Sequence, residues 1–192
     1  MAKGVPSPGN LFVISGPSGV GKDTLVRRVL TVLPEARLSV SATTRAPRGR
    51  ERDGVDYHFL SDQDFDREIA ADGFLEHADY AHARYGTLRS EVEKGITDGH
   101  DVILVIEVQG AAQVKRKMPE AVLIFVAPPS LSELERRLRH RHTDDEAQVQ
   151  TRLETARLEL AQQKYYNHVL VNDDLNATAQ RLAKIMRSYA CH

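Results

Sequence analysis

An α/β fold built on a mostly parallel sheet is predicted by three features of the sequence. Short apolar runs bounded by turn residues alternate with longer stretches whose apolar residues recur at helical spacing. The apolar runs lack the polar alternation of half-exposed hairpins, so we expect them to be buried parallel strands. The first run leads through a glycine-rich turn into a helical stretch, and in such folds ligands bind where the strands end.

The elements of this sheet can be assigned in chain order. The strands are predicted at Leu11–Ser15, Val102–Val108, Val122–Val126 and His168–Val171. The helices are predicted at Asp23–Leu33, Ser130–Arg139, Asp145–Lys164 and Ala177–Tyr189. Residues 39–94 interrupt the alternation, because they are rich in Arg, Gly, Asp and Tyr and show weak periodicity. We expect them to form an inserted subdomain of short strands and helices.

The composition is that of one compact domain and excludes several classes of protein. Of the 192 residues, 41% are hydrophobic and 28% are charged, which is typical of a globular chain rather than a disordered one. The net charge of −1 provides no general attraction to nucleic acid or to an anionic membrane. No apolar run approaches the ~20 residues that cross a bilayer, and residues 1–10 lack the apolar core of a secretory signal. Because Cys191 is the single cysteine, we expect no internal disulfide and a reducing compartment, the cytoplasm.

A phosphate-binding loop is predicted between the first strand and the first helix. The pattern G-x-x-x-x-G-K runs from Gly16 to Lys22, and its glycines allow successive backbone N–H groups to turn inward. The N-terminus of the next helix adds partial positive charge, and Lys22 would reach the β and γ oxygens of a polyphosphate. A structural turn that binds nothing is the alternative, but the preceding strand and following helix favour phosphate binding. The residues assigned to this site are Gly16, Pro17, Ser18, Gly19, Val20, Gly21, Lys22, Asp23 and Thr24.

Asp23 occupies the position at which such loops usually carry a Ser or Thr that binds Mg²⁺. One interpretation is a helix cap, because a carboxylate is stabilised at a helix N-terminus. The other is that the carboxylate holds Mg²⁺ directly or through water, since this ion prefers oxygen ligands. Val105 stands where phosphate-binding kinases often place an acid on the metal side. A carboxylate lost at 105 and gained at 23 would leave the charge of the site unchanged.

Four arginines close together form a second candidate anion site. They are Arg45, Arg48, Arg50 and Arg52. Their charges would repel one another unless an anion or carboxylates neutralise them, although a solvated basic loop is an alternative. Guanidinium groups bind phosphate bidentately, each charge-assisted hydrogen bond contributing about 1.5 to 3 kcal/mol, so Arg45 and Arg48 are candidates for holding a monophosphate. Tyr57 and Tyr85 are either further hydroxyl donors or core residues.

The sequence resembles the guanylate kinase family from Leu11 to about Met186. The motifs that carry the resemblance are GPSGVGK, SATTRAPR, DGVDYHF, FLEHA, YGTL, VQGAAQV, APPS and VNDDL. The resemblance implies a P-loop nucleoside-monophosphate kinase fold that transfers the γ-phosphoryl group of ATP to GMP with Mg²⁺. It also implies three parts, which are a core (about 10–38, 98–130 and 160–192), an inserted GMP-binding subdomain (about 39–97) and a helical lid (about 131–159).

The same resemblance implies a role for individual residues, position by position. Those implied around guanine are Ser41, Glu76, Thr87 and Glu107, and Gly86 is implied in GMP binding. Those implied around the GMP phosphate are Arg45, Arg48, Glu51, Tyr57 and Tyr85. Those implied in catalysis are Lys22, Arg45, Arg137, Arg141 and Arg152, and Asn172 is implied in ATP binding. Acids suit guanine, because its N1–H and exocyclic amino group form a donor set that adenine lacks.

The lid segment permits a simpler interpretation and departs from the family pattern. It could be a charged helix pair with ion pairs such as Glu133 with Arg137. His140 to Thr143 stand where glycines often flank the arginine, so we expect a stiffer hinge and an altered closing rate.

Two rival functions are weighed against the kinase. A non-catalytic guanylate-kinase-like module would bind a protein partner in the GMP cleft, but such modules tend to lose the phosphate loop, which is intact here. A related sugar-phosphate kinase can share the Gly-Lys-Asp sequence, yet it would not need an acid at Glu76 or the hydroxyl of Thr87.

Overall fold

A computed structural model of the chain describes residues 7–80, 82–140 and 145–189. The strands are β1 (Leu11–Ser15), β2 (Arg37–Leu38), β3 (Ala42–Thr43), β4 (His58–Phe59), β5 (Phe74–Tyr80), β6 (Ala83–Leu88), β7 (Val102–Val105), β8 (Val122–Ala127) and β9 (His168–Val171). The helices are α1 (Lys22–Leu30), α2 (Asp62–Ala70), α3 (Arg89–Thr97), α4 (Val108–Lys117), α5 (Leu131–Arg139), α6 (Glu146–Leu160) and α7 (Leu175–Arg187), with a 3₁₀ helix at Ala161–Tyr165.

Five strands form a parallel sheet in the order β2-β7-β1-β8-β9. The central strand β1 is buried along its whole length. Its residues Phe12 and Ile14 join the core beneath α1 and α7, whereas Leu11 and Val13 join the core beneath α3 and α4. Because helices cover both faces, the strand is apolar at four successive positions, Leu11 to Ile14, rather than at alternate ones. The predicted α/β fold with a mostly parallel sheet is confirmed.

A second, four-stranded sheet lies within residues 39–94, in the order β4-β3-β6-β5. β3 and β4 are parallel, whereas β6 is antiparallel to both β3 and β5. Helix α2 begins after Ser61, whose side chain accepts the backbone N–H of Asp64. Phe65 of this helix packs against Phe74 with ring centroids 4.4 Å apart. The segment therefore contains the short strands and helices that its sequence predicts.

Helices α5 and α6 share a small core of their own, formed by Leu134, Leu138, Val149, Leu153 and Ala156. Each begins at a polar cap. The side chain of Ser130 accepts the N–H of Glu133, and Asp145 forms a capping box with Gln148 at the start of α6. None of the helices in the described ranges combines the length and apolar character needed to cross a membrane.

Several predicted elements are longer than those observed. The strand predicted to reach Val108 ends at Val105, because Glu107 is the N-terminal cap residue of α4. The helix predicted to reach Lys164 ends at Leu160 and continues as the 3₁₀ helix. The first helix ends at Leu30 rather than Leu33. In each case the apolar or helical pattern continues past the residue at which the backbone changes conformation.

Candidate active site

The loop between β1 and α1 has the backbone geometry of an anion cradle. Gly16, Gly19 and Gly21 have φ angles of 142°, 87° and 95°, a region that side chains rarely allow. A Cβ atom at Gly16 would lie 2.2 Å from the carbonyl oxygen of Val126 on β8, so close packing also requires glycine there. Dihedral angles of this kind can turn successive N–H groups towards one side. The loop opens into a cavity lined by Pro17, Ser18, Gly19, Gly21, Lys22, Asp23, Thr24, Val105 and Glu107.

Lys22 lies at the first position of α1 and is only 8% exposed. Its ammonium donates hydrogen bonds to the carbonyl oxygens of Gly16 at 2.5 Å and Pro17 at 3.3 Å. It also lies 3.7 Å from Oε1 of Glu107. The cation therefore sits inside the loop, next to a carboxylate that the sequence resemblance places around guanine.

Asp23 and Val105 line the same cavity, as the proposed exchange of a carboxylate between these positions requires. Asp23 is exposed in the first turn of α1, whose N-terminal cap residue is Gly21. Among the described residues, no hydrogen bond to the Asp23 carboxylate is found. Any capping effect is therefore limited to the helix dipole, and the oxygens remain available to a ligand.

Helix α5 contacts the loop directly. A Cβ atom at Gly19 would meet Leu138 at 2.8 Å, so this glycine lets α5 approach. Arg137 donates to the carbonyl oxygens of Asn172 at 3.0 Å and Val20 at 3.4 Å, and its Nε donates to Glu133 at 2.9 Å. Asn172 donates its side-chain amide to the same Val20 oxygen at 2.8 Å. Arg137, predicted in catalysis, and Asn172, predicted in ATP binding, thus meet on one backbone carbonyl of the loop.

The sequence resemblance also assigns two further arginines, Arg141 and Arg152, to catalysis. Arg152 is half-buried on α6. Arg141 and the hinge positions His142 and Thr143 lie outside the described residues. The ion pair between Glu133 and Arg137, expected of a charged helix pair, is present, and Arg136 also binds Glu133. Hydrogen bonds from Arg136 and then Arg137 lower the pKa of Glu133 to about 2.

The residues predicted at the acceptor phosphate form a cluster around Arg45. Glu51 accepts two hydrogen bonds from the Arg45 guanidinium, at 2.7 and 2.8 Å, and a third from the backbone N–H of Arg48 at 2.8 Å. These contacts, Arg45 first, lower the pKa of Glu51 to about 2. The guanidinium carbon lies 4.9 Å from the ring centroid of Tyr57, which packs against Tyr85 at 6.1 Å. Glu51 therefore orients the Arg45 guanidinium. The loop that carries Arg45 and Arg48 is held by specific hydrogen bonds, so it is not simply a solvated basic loop.

The residues predicted at guanine meet where β5 and β6 pair. Glu76 is 8% exposed and accepts a hydrogen bond from Thr87 Oγ1 at 2.7 Å across the two strands. Burial raises the pKa of Glu76, and the hydrogen bonds from Thr87 oppose this rise. A Cβ atom at Gly86 would clash with Phe74, which explains the glycine. Ser41 is half-buried immediately before β3, whose Ala42 pairs with Gly86.

Glu159, the penultimate residue of α6, is a site residue that the sequence motifs do not point to. Its side chain is buried, with the residue 6% exposed, and burial raises its pKa to about 7, aided by the negative charge of Glu107 and opposed by Lys22. A signal was present, because Val149, Leu153 and Ala156 form the buried face of α6 and Glu159 continues that face at helical spacing. A charged residue on such a face is uncommon.

Glu159→Gln is expected to stabilise the protein in a pH-dependent way. The carboxyl pKa rises from an ordinary 4.5 to about 7 on folding, so native stability is lost as the pH increases through this window. Above pH 7 the neutral amide removes that cost, and the free energy of unfolding should increase by about 2 to 3 kcal/mol at pH 8 but by less than about 1 kcal/mol at pH 5. Urea unfolding at both pH values, with the exposed Glu154→Gln as control, measures the difference. An equal change at both pH values would contradict the assignment.

The chain is similar to known guanylate kinases along nearly its whole length. The family model described as guanylate kinase matches residues 8–189. A guanylate kinase from Synechococcus sp. (strain CC9902) is 50% identical over 182 residues, which cover 95% of this chain and 97% of that protein. One from Desulfitobacterium hafniense (strain Y51) is 46% identical over 183 residues, covering 95% of this chain and 92% of that protein.

A solved structure agrees with these relatives. The crystal structure of guanylate kinase from Anaplasma phagocytophilum matches with a TM-score of 0.72 and 33% identity, covering 95% of this chain and 87% of that chain. The similarity thus extends over nearly the whole length, including the loop after β1, the arginine cluster and the β5–β6 pair. The chain belongs to the guanylate kinase family.

Proposed function

We propose that this protein transfers the γ-phosphoryl group of ATP to GMP, producing ADP and GDP. The observation that carries the proposal is that one chain contains two candidate anion sites, which are formed by different kinds of groups. One is the glycine loop with the buried Lys22, and the other is the Arg45 guanidinium oriented by Glu51. Family membership supplies the substrates that these two sites are proposed to take.

The donor nucleotide is proposed to bind over the loop after β1. Backbone N–H groups at the start of α1 and the helix dipole favour the phosphates, and Lys22 would exchange the Gly16 and Pro17 carbonyls for phosphate oxygens. Asn172 and Arg137 donate hydrogen bonds to the Val20 carbonyl oxygen, and these bonds stabilise the backbone conformation of the loop. For Arg137 to contact the transferring group, lid closure must replace its carbonyl partners by phosphate oxygens.

The acceptor is proposed to bind on the inserted sheet. Arg45 and Arg48, with the Tyr57 and Tyr85 hydroxyls, would hold the GMP phosphate, while Glu76 and Thr87 would face guanine. Glu76 is buried and acceptor-only when ionised, so guanine donors would satisfy a carboxylate that is otherwise costly to bury. We propose the corresponding division into a core (10–38, 98–130 and 160–192), a GMP-binding part (39–97) and a lid (131–159).

Positioning and charge neutralisation account for the chemistry. The acceptor is a phosphate oxygen that is already anionic, so no general base is required. Lys22 and Arg45, joined on closure by Arg137, Arg141 and Arg152, would balance the negative charge as the phosphoryl group passes in line between the nucleotides. Closure of α5 and α6 over the loop would exclude water, which otherwise hydrolyses ATP.

Mg²⁺ is the ion that the family implies, and the residues at the loop fit it. Asp23 offers free carboxylate oxygens in the cavity that Lys22 also lines, and Mg²⁺ is commonly held by one or two carboxylates together with substrate phosphates. Within the described ranges, no group of three or more acids, histidines or cysteines converges as a self-sufficient metal site. When bound, the ion would neutralise charge on the β and γ phosphates. Asp23 would hold the ion on the side of the cavity that this residue lines.

Asp23→Asn is expected to raise the Mg²⁺ concentration for half-maximal activity by about 10-fold, because an amide binds the ion more weakly than a carboxylate. The measurement is the initial rate at saturating ATP and GMP as Mg²⁺ is varied. Asp98→Asn, at the exposed end of α3, makes the same change of charge away from the loop and should leave the curve unchanged. An unaltered Mg²⁺ dependence in Asp23→Asn would show that the residue has no role towards the ion.

A coupled assay of ADP formation tests the proposed function directly. GMP, AMP, UMP and ribose bisphosphate are offered in turn as acceptors with ATP. We expect GMP to give the highest kcat/KM by a wide margin. Turnover with ribose bisphosphate instead would favour a sugar-phosphate kinase, and no acceptor-dependent turnover would favour a non-catalytic module.

A further inference from the structure

Helix α4 lies along β5, the strand that carries the proposed guanine acid, and contacts it through one face. Gly110, Gln113 and Lys117 stand three and four residues apart, so they share a side of the helix. Val114 of the same helix packs with Leu75 of β5 in the core that also contains residues of β1. The inserted sheet is therefore attached to the central part of the protein through this helix.

Gln113 binds the backbone of β5 as a neighbouring strand would. The N–H of His77 donates to Oε1 of Gln113 at 3.2 Å, and Nε2 of Gln113 donates to the carbonyl oxygen of His77 at 3.1 Å. β5 lies at the edge of the four-stranded sheet, and an edge strand presents N–H and C=O groups that the sheet does not pair. A side-chain amide has both a donor and an acceptor, so one glutamine satisfies both groups of one residue. Gln113 thus fixes the β5 backbone against α4 at the residue that follows Glu76.

Lys117 forms a second attachment on the other side of Glu76. Its ammonium donates to the carbonyl oxygen of Phe74 and to Oδ1 of Asp72, each at 2.6 Å. Between Phe74 and Glu76 the pairing of β5 with β6 shifts register. Irregularities of this kind redirect the side chains of a strand. The contacts from α4 therefore hold the backbone on both sides of the point where the direction of Glu76 is set.

The carboxylate of Glu76 lies between β6 and α4. Its Oε1 accepts the hydrogen bond from Thr87 at 2.7 Å, and a Cβ atom at Gly110 would lie 2.8 Å from its Oε2. A side chain at position 110 would therefore displace the carboxylate, which is the mobile end of the glutamate. The position of both oxygens depends on α4 as well as on the inserted sheet.

We propose that Gln113 is a positioning residue for Glu76, and that α4 sets the specificity for guanine by holding this carboxylate in place while Gly110 leaves room for it. The inference rests on the proposed function, because it takes Glu76 to be the guanine contact. Hydrogen bonds weaken steeply with distance and angle, so two guanine donors require both carboxylate oxygens at defined positions. The helix thereby links recognition of the base to the central sheet.

Gln113→Met tests the role of the two hydrogen bonds to His77. Methionine has a similar length but can neither accept from the N–H nor donate to the carbonyl. We expect KM for GMP to rise about 10-fold and KM for ATP to stay within twofold of the native value, because displacement of a binding group weakens only the ligand that it contacts. Gln180→Met, which makes the same change at an exposed position of α7, should alter neither KM. Loss of folded protein would lower kcat and leave KM unchanged.

A double-mutant cycle separates positioning of Glu76 from a general effect on the inserted sheet. The KM for GMP is measured for Gln113→Met in the native background and in the Glu76→Gln background. If Gln113 acts through Glu76, the substitution should change KM for GMP by less than about twofold once Glu76 has been replaced. The same factor in both backgrounds would overturn the inference.

Gly110→Ala is a second variant that reaches the carboxylate from the helix itself. Alanine favours the helix more than glycine does, so the fold should be preserved while the new methyl group displaces Oε2. We expect KM for GMP to rise about 10-fold here as well. This variant decides the matter if Gln113→Met does not fold.

A KM for GMP within threefold of the native value in folded Gln113→Met, or in Gly110→Ala where the first variant is unfolded, would overturn the inference. Turnover of GMP by the native protein would then leave the proposed function intact. Absence of GMP-dependent turnover in the native protein would instead overturn the proposed function, and this inference with it.

Discussion

Replacing Lys22 by Met is expected to lower kcat for GMP phosphorylation by about 10²- to 10³-fold, the loss that follows removal of one preorganised transition-state contact. Lys22 is the cation within the cavity after β1, and its ammonium already lies among the loop carbonyls at 2.5 and 3.3 Å. Methionine has a similar length and keeps the aliphatic packing, so the change isolates the charge. The KM for ATP should rise by a smaller factor than kcat falls, because charge develops further during transfer.

Lys184→Met is the matched control, since it removes an exposed lysine of α7 that has no part in the site. Thermal unfolding of both variants checks that each is folded and as stable as the native protein. A Lys22→Met protein that is folded and turns over within threefold of the native rate would remove the basis for placing phosphate in this loop.

Glu76→Gln is expected to reduce kcat/KM for GMP by about 10³-fold, because a site built to accept hydrogen bonds from guanine would present a donor instead. The Thr87 hydroxyl lies 2.7 Å from Oε1 and would hold the glutamine oxygen. The amide nitrogen would then face the N1–H and amino group of guanine, and two donors cannot pair. Activity with AMP should be unchanged or slightly higher, so the GMP to AMP ratio falls steeply.

The ratio of kcat/KM values for the two acceptors is the quantity to measure, because a general loss of folding or of phosphate transfer would lower both equally. Glu120→Gln removes an exposed acid after α4 and should preserve the native ratio. If Glu76→Gln also preserved it, Glu76 would not be a guanine contact, and the buried carboxylate would need another explanation.

The fold could be predicted largely because its signals are local. An apolar strand at Leu11–Ser15, the glycines at 16, 19 and 21 and the amphipathic helix after them each depend on neighbours in the sequence. The ends of elements were less predictable. Ile106 and Val108 continue the apolar run of β7, but the backbone has already turned into α4 at Glu107. Apolarity indicates burial, and it does not distinguish the end of a buried strand from the start of a buried helix.

The candidate site could be predicted only where the resemblance or the residue types constrained it. The resemblance assigns both Arg45 and Glu51 to the acceptor phosphate. Neither the charge pattern nor the spacing of the two residues predicts the pair of hydrogen bonds that joins their side chains. The resemblance placed Glu107 around guanine, and the structure places its carboxylate beside Lys22. Glu159 continues the buried face of α6 at helical spacing, but the charges that act on it, those of Glu107 and Lys22, lie far away in the sequence. Long-range interactions of this kind depend on how α6 packs beside the central sheet, which no local pattern encodes.

The central claim is that one chain holds two nucleotides with their phosphates facing each other, one on backbone amides and one on guanidinium groups. A crystal structure with GMP and a non-hydrolysable ATP analogue tests it most directly. We expect the β and γ phosphates on the Gly16–Lys22 loop, the GMP phosphate on Arg45 and Arg48, and guanine hydrogen-bonded to Glu76. An ordered complex in which that loop bears no phosphate, or in which guanine lies away from Glu76, would contradict the account.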